Sequence, residues 1–190
     1  MRREAELAAQ LVHVVKESLR DGKPVELDGL GLFLPDGRNG MKFIPETAPR
    51  VFIAYVDEDC AAALRLADSL TIAGMKVWID KRRLLPGQDW RRAIERAIEW
   101  SDLFVACFSR AAVRKRGQFP LEVRIALRCA EKMPLDDWFV IPVRLDECSV
   151  PRRVSVTEYV DLFPEWEDGL AKLVRAIEGE IASRKLRDAA

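Results

Sequence analysis

Among the side chains able to do chemistry, Glu122 has the most unusual setting. It lies in "FSRAAVRKRGQFPLEVRIALRCAEK", residues 108 to 132, where an apolar strand pattern passes through a basic loop into a helical pattern. Pro120 fits the first helical position, because its missing N–H is one of those a helix leaves unbonded at its start. Glu122 then becomes the third helical residue, on one face with Ile125, Ala126 and Cys129, while Arg124 and Arg128 fall on the other. A carboxylate heading an apolar stripe has two explanations. It can be a favourable charge at the positive end of the helix dipole, satisfying terminal N–H groups. It can equally be an acid turned towards a hollow, where it acts on a ligand. Position alone leaves both readings open.

Other chemistry is hard to assemble from this chain. There is no GxxxxGK phosphate loop and no GxGxxG fingerprint. The single histidine, His13, falls off the apolar stripe of its helix, so no histidine-based triad is available. Cys60, Cys107, Cys129 and Cys148 form no CxxC pair and have no histidine nearby, so they read as reduced, buried thiols and not as a zinc or redox motif. No metal and no resident cofactor is expected. "DED" (57–59) after the first strand of the sheet invites comparison with a phosphoacceptor receiver. That reading fails, because the third strand ends Cys107-Phe108-Ser109 without an aspartate, and Arg144 stands in the later strand where a receiver needs lysine. What remains is chemistry that one carboxylate can perform.

The elements that must position it are legible from periodicity. "RVFIAY" (50–55), "KVWID" (76–80), "LFVACF" (103–108), "WFVIPVRL" (138–145) and "EYVDLF" (158–163) read as strands. Between them, Trp90, Ala93, Ile94, Ala97 and Ile98 make a one-sided helical stripe, as do Trp166, Leu170, Leu173, Ile177 and Ile181. Residues 60–73 form a further helix that Gly74 is suited to end. Strands apolar on both faces, each followed by a helix, imply a parallel sheet covered on both sides. The expectation is therefore an α/β, flavodoxin-like sheet of five parallel strands in the order 2-1-3-4-5. Such sheets bind ligands beyond the carboxyl ends of their strands, where the strand order reverses. The crevice would lie between the loops beginning at Tyr55 and Ser109, and Glu122 opens the helix after the second.

The first fifty residues read differently. Ala8, Leu11, Val12, Val15 and Leu19 form a helical stripe that stops at "DGKP" (21–24), and "VELDGLGLF" then alternates before the turn residues "PDGRNG" (35–40) and "MKFIPE". One helix and a β-hairpin are too small to hold a core alone, so this piece is expected to pack on the second domain or on another copy. The expected division is 1–46 for the small module, 47–50 for a linker, 51–183 for the sheet domain and 184–190 for a tail. Across the whole chain 31 basic residues balance 31 acidic ones, so no global field favours nucleic acid or an anionic membrane. The amino terminus is charged, and no apolar run approaches the ~20 residues of a membrane span. A cytoplasmic protein is the expectation.

"RVFIAYVDED", "GMKVWIDKRRLLPGQDWRRAIERAIEWSDLFVACFSR", "GQFPLEVRIAL" and "FVIPVRLDE" occur in this order. Together they resemble the successive boxes of bacterial TIR (Toll/interleukin-1 receptor) domains over roughly residues 50–180. Many TIR domains cleave the bond between nicotinamide and ribose in NAD⁺, giving nicotinamide and ADP-ribose or a cyclic ADP-ribose. The resemblance implies that activity here, with NAD⁺ as substrate and Glu122 as the catalytic glutamate. It also implies that Tyr55 and the following "VDED" line the nicotinamide-ribose pocket. Asp80, Lys81, Arg83, Leu84, Leu85, Pro86 and Gly87 match the so-called BB loop, which gates the pocket and mediates contacts between domains. Of these, Asp80 and Arg83 are expected at the substrate, Arg83 towards a phosphate. Trp90 would support that loop or stack on a ligand, with core packing as its plainer role, and Ser109 opens the loop across the crevice. Four residues before the glutamate the family usually has an aromatic side chain; here Gln118 stands there, with Phe119 beside it as a candidate substitute. The strand-one serine of many relatives is Ala54.

The amino-terminal "VVKESLRDGKPVELDGLGLF" with "FIPETAPR" resembles part of HU-like, histone-like proteins, without their long basic DNA arm. With eight basic and eight acidic residues in the first fifty, the segment is neutral, so it implies a pairing or docking module and not a DNA binder. Two functions compete. One is a NAD⁺-consuming enzyme controlled by self-association, with antiphage defence as its setting. The other is a non-catalytic adaptor that recruits other TIR proteins through TIR–TIR contacts. Glu122 favours the first, and Gln118 keeps the second in play.

Overall fold

The computed structural model describes residues 2–36, 40–79, 90–154 and 158–189. The chain divides into two units, Met1–Ala48 and Pro49–Ala190. In the first, helix α1 (Arg2–Arg20) precedes strands β1 (Val25–Leu27), β2 (Gly31–Asp36) and β3 (Gly40–Pro45). These form an antiparallel sheet in the order β1-β2-β3, so the expected hairpin is in fact three-stranded. The extra strand arises because the Leu30 N–H bonds back to the Leu27 carbonyl at 3.0 Å, which turns Val25–Leu27 onto Gly31–Phe33. Gly31 has φ +143, and a Cβ there would lie 2.2 Å from the Ile44 carbonyl oxygen, so only glycine fits this crossing. Phe33 and Phe43 face each other across β2 and β3 with ring centroids 4.8 Å apart. The helical stripe is less buried than its pattern implies. Val15 is covered, but Leu11 and Val12 remain about half exposed.

The second unit is a sheet of five parallel strands: β4 (Arg50–Ala54), β5 (Lys76–Ile79), β6 (Leu103–Phe108), β7 (Val140–Arg144) and β8 (Val160–Asp161). The order is β5-β4-β6-β7-β8, the 2-1-3-4-5 arrangement expected, with every pairing parallel. Helices α2 (Cys60–Ile72), α3 (Trp90–Glu99), α4 (Gln118–Ala130) and α5 (Trp166–Asp188) complete it. The alternation of side chains along a strand sorts the core into two layers. Val51, Ile53, Leu103, Val105 and Cys107 pack with α2 and α5, through Leu66, Leu70, Leu173 and Ile177. Phe52, Ala54, Phe104, Ala106 and Phe108 pack on the other face with α3 and α4, through Ile94, Ile98, Val123 and Ala126. Gly74 follows α2 with φ +96, the left-handed stop expected of it.

Two details depart from the sequence pattern. The last strand keeps two of its six expected residues, and Arg144 and Asp161, partners in the β7–β8 register, hold it through a paired guanidinium–carboxylate contact. The last helix continues to Asp188, past the expected start of a tail at 184. Arg184 explains this: its Nε donates to Glu180 at 2.8 Å and its Nη1 to the Asp102 carbonyl at 2.8 Å. Glu180, only 2% exposed, also accepts the Trp138 N–H at 3.2 Å, so one buried carboxylate anchors the helix to the approach into β7.

Gly169, in the first turn of α5, lies directly on β8; a Cβ there would sit 2.0 Å from the Asp161 carbonyl oxygen. Replacing Gly169 with alanine is therefore expected to cost about 2–3 kcal/mol through overpacking, despite the ~1 kcal/mol helix-propensity gain of alanine over glycine. Urea unfolding of the two proteins measures the difference.

Candidate active site

Helix α4 begins at Gln118, immediately after Gly117 at φ +114. That is two residues earlier than the position of Pro120 suggests. Pro120 is still within the first turn, where no N–H partner is lost. The earlier start makes Glu122 the fifth helical residue instead of the third. It also sets Gln118 one turn before it, and the Gln118 Nε2 donates to Glu122 Oε1 at 3.0 Å. Glu122 is 3% exposed, with Ile125 and Ala126 buried on the same face and Arg124 and Arg128 exposed opposite. A glutamate that merely favours a helix start gains its stabilisation within the first turn and at the surface. Glu122 is beyond that turn and out of water, where a carboxylate is costly unless it is hydrogen-bonded. The helix-end explanation does not account for that burial.

The loops around the reversal point are tied to one another. After β4 the chain makes a short 3-10 turn, Asp57–Asp59; after β6 it makes another, Ala112–Arg114. Ser109, 2% exposed, donates its hydroxyl to Asp59 Oδ2 at 2.6 Å and accepts the Ala112 N–H at 3.0 Å. Lys115 pairs with Glu58 at 2.6 Å, a second strut between the same two loops. On the far side of β6, the Arg110 N–H donates to Asp146 Oδ1 at 3.0 Å, and Arg110 Nε donates to the Glu147 carbonyl at 3.0 Å. The loops after the first, third and fourth strands of this sheet are thus one connected rim. Burial pushes the Asp59 carboxyl above its ordinary range, opposed by the hydrogen bond from Ser109 and reinforced by the nearby charge of Asp146.

The expected site residues divide into distinct groups. Glu122 and Gln118 are brought into contact. Ser109 is at the rim, but its hydroxyl is engaged by Asp59 and the Ala112 N–H. Tyr55 is displaced from the expected set: it packs in the layer of α2 and α5, on the sheet face opposite α4. Strand alternation makes that unavoidable, and the residues of this segment on the α4 side are Ala54 and Val56. Phe119 does not take the place of the missing aromatic. Its ring packs edge-on to Phe108, 5.5 Å between centroids, and is 6% exposed within the core. Trp90 begins α3. Asp80, Lys81, Arg83, Leu84, Leu85, Pro86 and Gly87 lie outside the described residues. Asp59 was not singled out, because nothing in "VDED" distinguishes the acid that meets Ser109 from its two exposed neighbours.

Among the described residues no three acidic, histidine or cysteine side chains are grouped to hold a metal ion. The four thiols are unpaired, and burial raises those of Cys107 and Cys148, the latter to about 11, so both are protonated and unreactive at neutral pH. No helix of the described residues is long and apolar enough to cross a membrane.

A five-stranded parallel sheet of this order, with a buried glutamate heading the helix after its third strand, is the setting in which the comparisons fall. Residues 51–174 match the TIR domain family, and the chain belongs to that family. It is 27% identical over 156 residues to the uncharacterized protein y4cD of Sinorhizobium fredii (strain NBRC 101917 / NGR234), covering 82% of this chain and 24% of that protein. The chain therefore spans about a quarter of the length of that curated relative. Among solved structures it is similar to a metazoan TIR-STING receptor from C. gigas in complex with 2',3'-cGAMP. That match has TM-score 0.56 and 19% identity, over 67% of this chain and 38% of that one. It is also similar to the TIR domain of the Toll-related receptor TRR-2 from Hydra magnipapillata, with TM-score 0.53 and 24% identity, over 66% and 97%. At these identities the structural likeness establishes the fold. The family match begins at Val51, and neither the histone-like resemblance of residues 1–46 nor the expected defence role has support in these matches.

Two variants test the rim. Ser109→Ala leaves the Asp59 carboxylate and the Ala112 N–H without their shared partner, and is expected to cost about 1–3 kcal/mol in urea unfolding. Asp59→Asn tests the charge. Because the folded-state pKa of Asp59 is raised, the folded chain binds that proton more tightly than the unfolded chain, so the cost of its ionisation is present above the folded pKa and relieved as pH falls through it. Asp59→Asn is therefore expected to be stabilising relative to the parent at pH ~7, with the difference shrinking towards pH ~4.

Proposed function

We propose that this chain is an NAD⁺ glycohydrolase, with Glu122 as its catalytic residue and self-association of the TIR unit as its control. The observation that carries this reading is the burial of a hydrogen-bonded carboxylate in the second turn of α4, the helix that follows the third strand of the sheet. The reaction asks little else of the protein. Nicotinamide is cationic in NAD⁺ and needs no proton to leave. When the ribose–nitrogen bond breaks, its electron pair neutralises the pyridinium, and positive charge moves to the ribose ring. A fixed carboxylate stabilises that oxocarbenium-like charge and aligns the ribose hydroxyls. Water adding to the anomeric carbon and releasing a proton gives ADP-ribose; attack by a group of the same molecule gives a cyclic product. Neither route needs a metal or a histidine, which accounts for the lack of other catalytic motifs.

Gln118 has a defined part in this reading. Its amide donates to one carboxylate oxygen and so helps to fix the rotamer of Glu122. It cannot supply the aromatic surface usual at this position, and Phe119 is committed to packing. These two observations favour the adaptor reading, in which the same fold recruits other TIR domains without turnover.

The experiment is nicotinamide release from NAD⁺ across a range of protein concentrations. An enzyme controlled by self-association shows turnover per molecule rising with concentration, and Glu122→Gln lowers it by about 100-fold or more with folding intact. Gln118→Ala, which removes this hydrogen bond to the carboxylate, is expected to lower kcat about tenfold with KM little changed. Absence of nicotinamide at every concentration would establish the adaptor reading instead.

A further inference from the structure

A cleft of about 670 Å³ opens at the β8 edge of the sheet, on the side covered by α5. It is on the sheet face opposite α4 and so is separate from Glu122. It exists because β8 pairs only with Val143 and Arg144 of β7. On its β8 side the preceding half of β7 pairs with no strand among the described residues, and Ile141, 3% exposed, forms an apolar floor there.

Two aromatic rings line this cleft, one backed at its ring face and the other carried on an anchored backbone. Tyr159 is 45% exposed, and one face of its ring is covered by the Arg144 guanidinium at 4.2 Å. That guanidinium is itself fixed by its paired contact with Asp161. Trp138 is 44% exposed, while its backbone N–H is bonded to the buried Glu180 and its carbonyl to Arg184. Large aromatic surface left in water, with the Tyr159 ring already backed by Arg144, is surface on which a planar ligand can stack.

The charges select further. Asp161 is neutralised by Arg144, which leaves Lys172 and Glu158 as the unspent charges of the cleft. Lys172 suits an anionic group, and Glu158 suits a hydroxyl or amine donor. We infer that this cleft is a second ligand site, for a planar heteroaromatic ring carrying a phosphate. A nucleoside monophosphate has this chemistry: its base stacks on Tyr159 and Trp138, its phosphate meets Lys172, and its sugar hydroxyls or exocyclic amine meet Glu158. The volume is in the range typical of small-molecule sites.

Calorimetric titration of the full chain with AMP, adenosine and inorganic phosphate tests this. AMP is expected to bind with Kd of about 10–1000 μM, adenosine about tenfold more weakly, and phosphate alone not detectably at ~5 mM. Lys172→Ala, on the outer surface of α5, and Trp138→Leu are each expected to weaken AMP about tenfold, with thermal unfolding confirming the fold. Glu122→Gln should bind AMP as the parent does, which separates this site from the one proposed for NAD⁺. No binding of AMP, equal binding by Lys172→Ala and Trp138→Leu, or loss of binding in Glu122→Gln would each overturn the assignment. None of these measurements uses turnover, so the outcome does not depend on the glycohydrolase reading.

Discussion

Strands β4 and β6 are buried on both faces, from Val51 to Ala54 and from Leu103 to Phe108. A strand pair with no polar face must be covered on both sides, and a parallel pair must be joined by helical crossovers. The chain leaves β4 for β5 on one side and then returns to place β6 on the other. That return creates the reversal of strand order, the point at which sheets of this kind bind ligands. The position of the candidate site is thus a consequence of what those central strands are made of. The helix that carries Glu122 packs on the same face as Phe52 and Ala54.

The loops at that reversal are joined by polar contacts. Ser109 with Asp59, Lys115 with Glu58 and Arg110 with Asp146 link three loops that are far apart in sequence. The inner contact, at Ser109, is shielded from water and is the one that carries weight; Lys115 and Glu58 are exposed enough for solvent to screen them. The same division appears at the opposite end of the sheet. Glu180 is buried and satisfied by Arg184 and the Trp138 N–H, while Arg187 and Asp137 pair nearer to solvent. Glu180 is buried and Asp59 half-buried, and each is tolerated because donors are already in position.

The two units differ in how much of them their residues could specify in advance. In Met1–Ala48 the helical stripe and the alternating strands are plain, yet among its larger side chains only Val15 and Ile44 are buried. Periodicity reports which face is apolar, not how many layers exist to cover it, and a unit of this size has few. The third strand there depends on one turn, Leu27 to Leu30, whose hydrogen bond competes with simple continuation of the chain. In Pro49–Ala190 the long periodic segments specified all five strands and the paired helices, because each apolar position had an opposing layer to meet. Element ends were less legible. Gly117 starts α4 before Pro120 does, and β8 shrinks to Val160–Asp161, the two residues in register with Val143 and Arg144.

The candidate site shows the same boundary between pattern and packing. Residue order and spacing alone determined the parallel sheet, its strand order and the placement of Glu122 on an apolar face, since these follow from local periods and crossover rules. Tertiary structure decided which neighbours that carboxylate has. It put Tyr55 on the other face, turned Phe119 into the core, made Gln118 a hydrogen-bond donor to Glu122 and joined Asp59 to Ser109 across fifty residues of chain. The physical reason is that a period of two or of 3.6 assigns a residue to a face, whereas a partner is chosen by packing and hydrogen-bond geometry between segments that no local pattern relates.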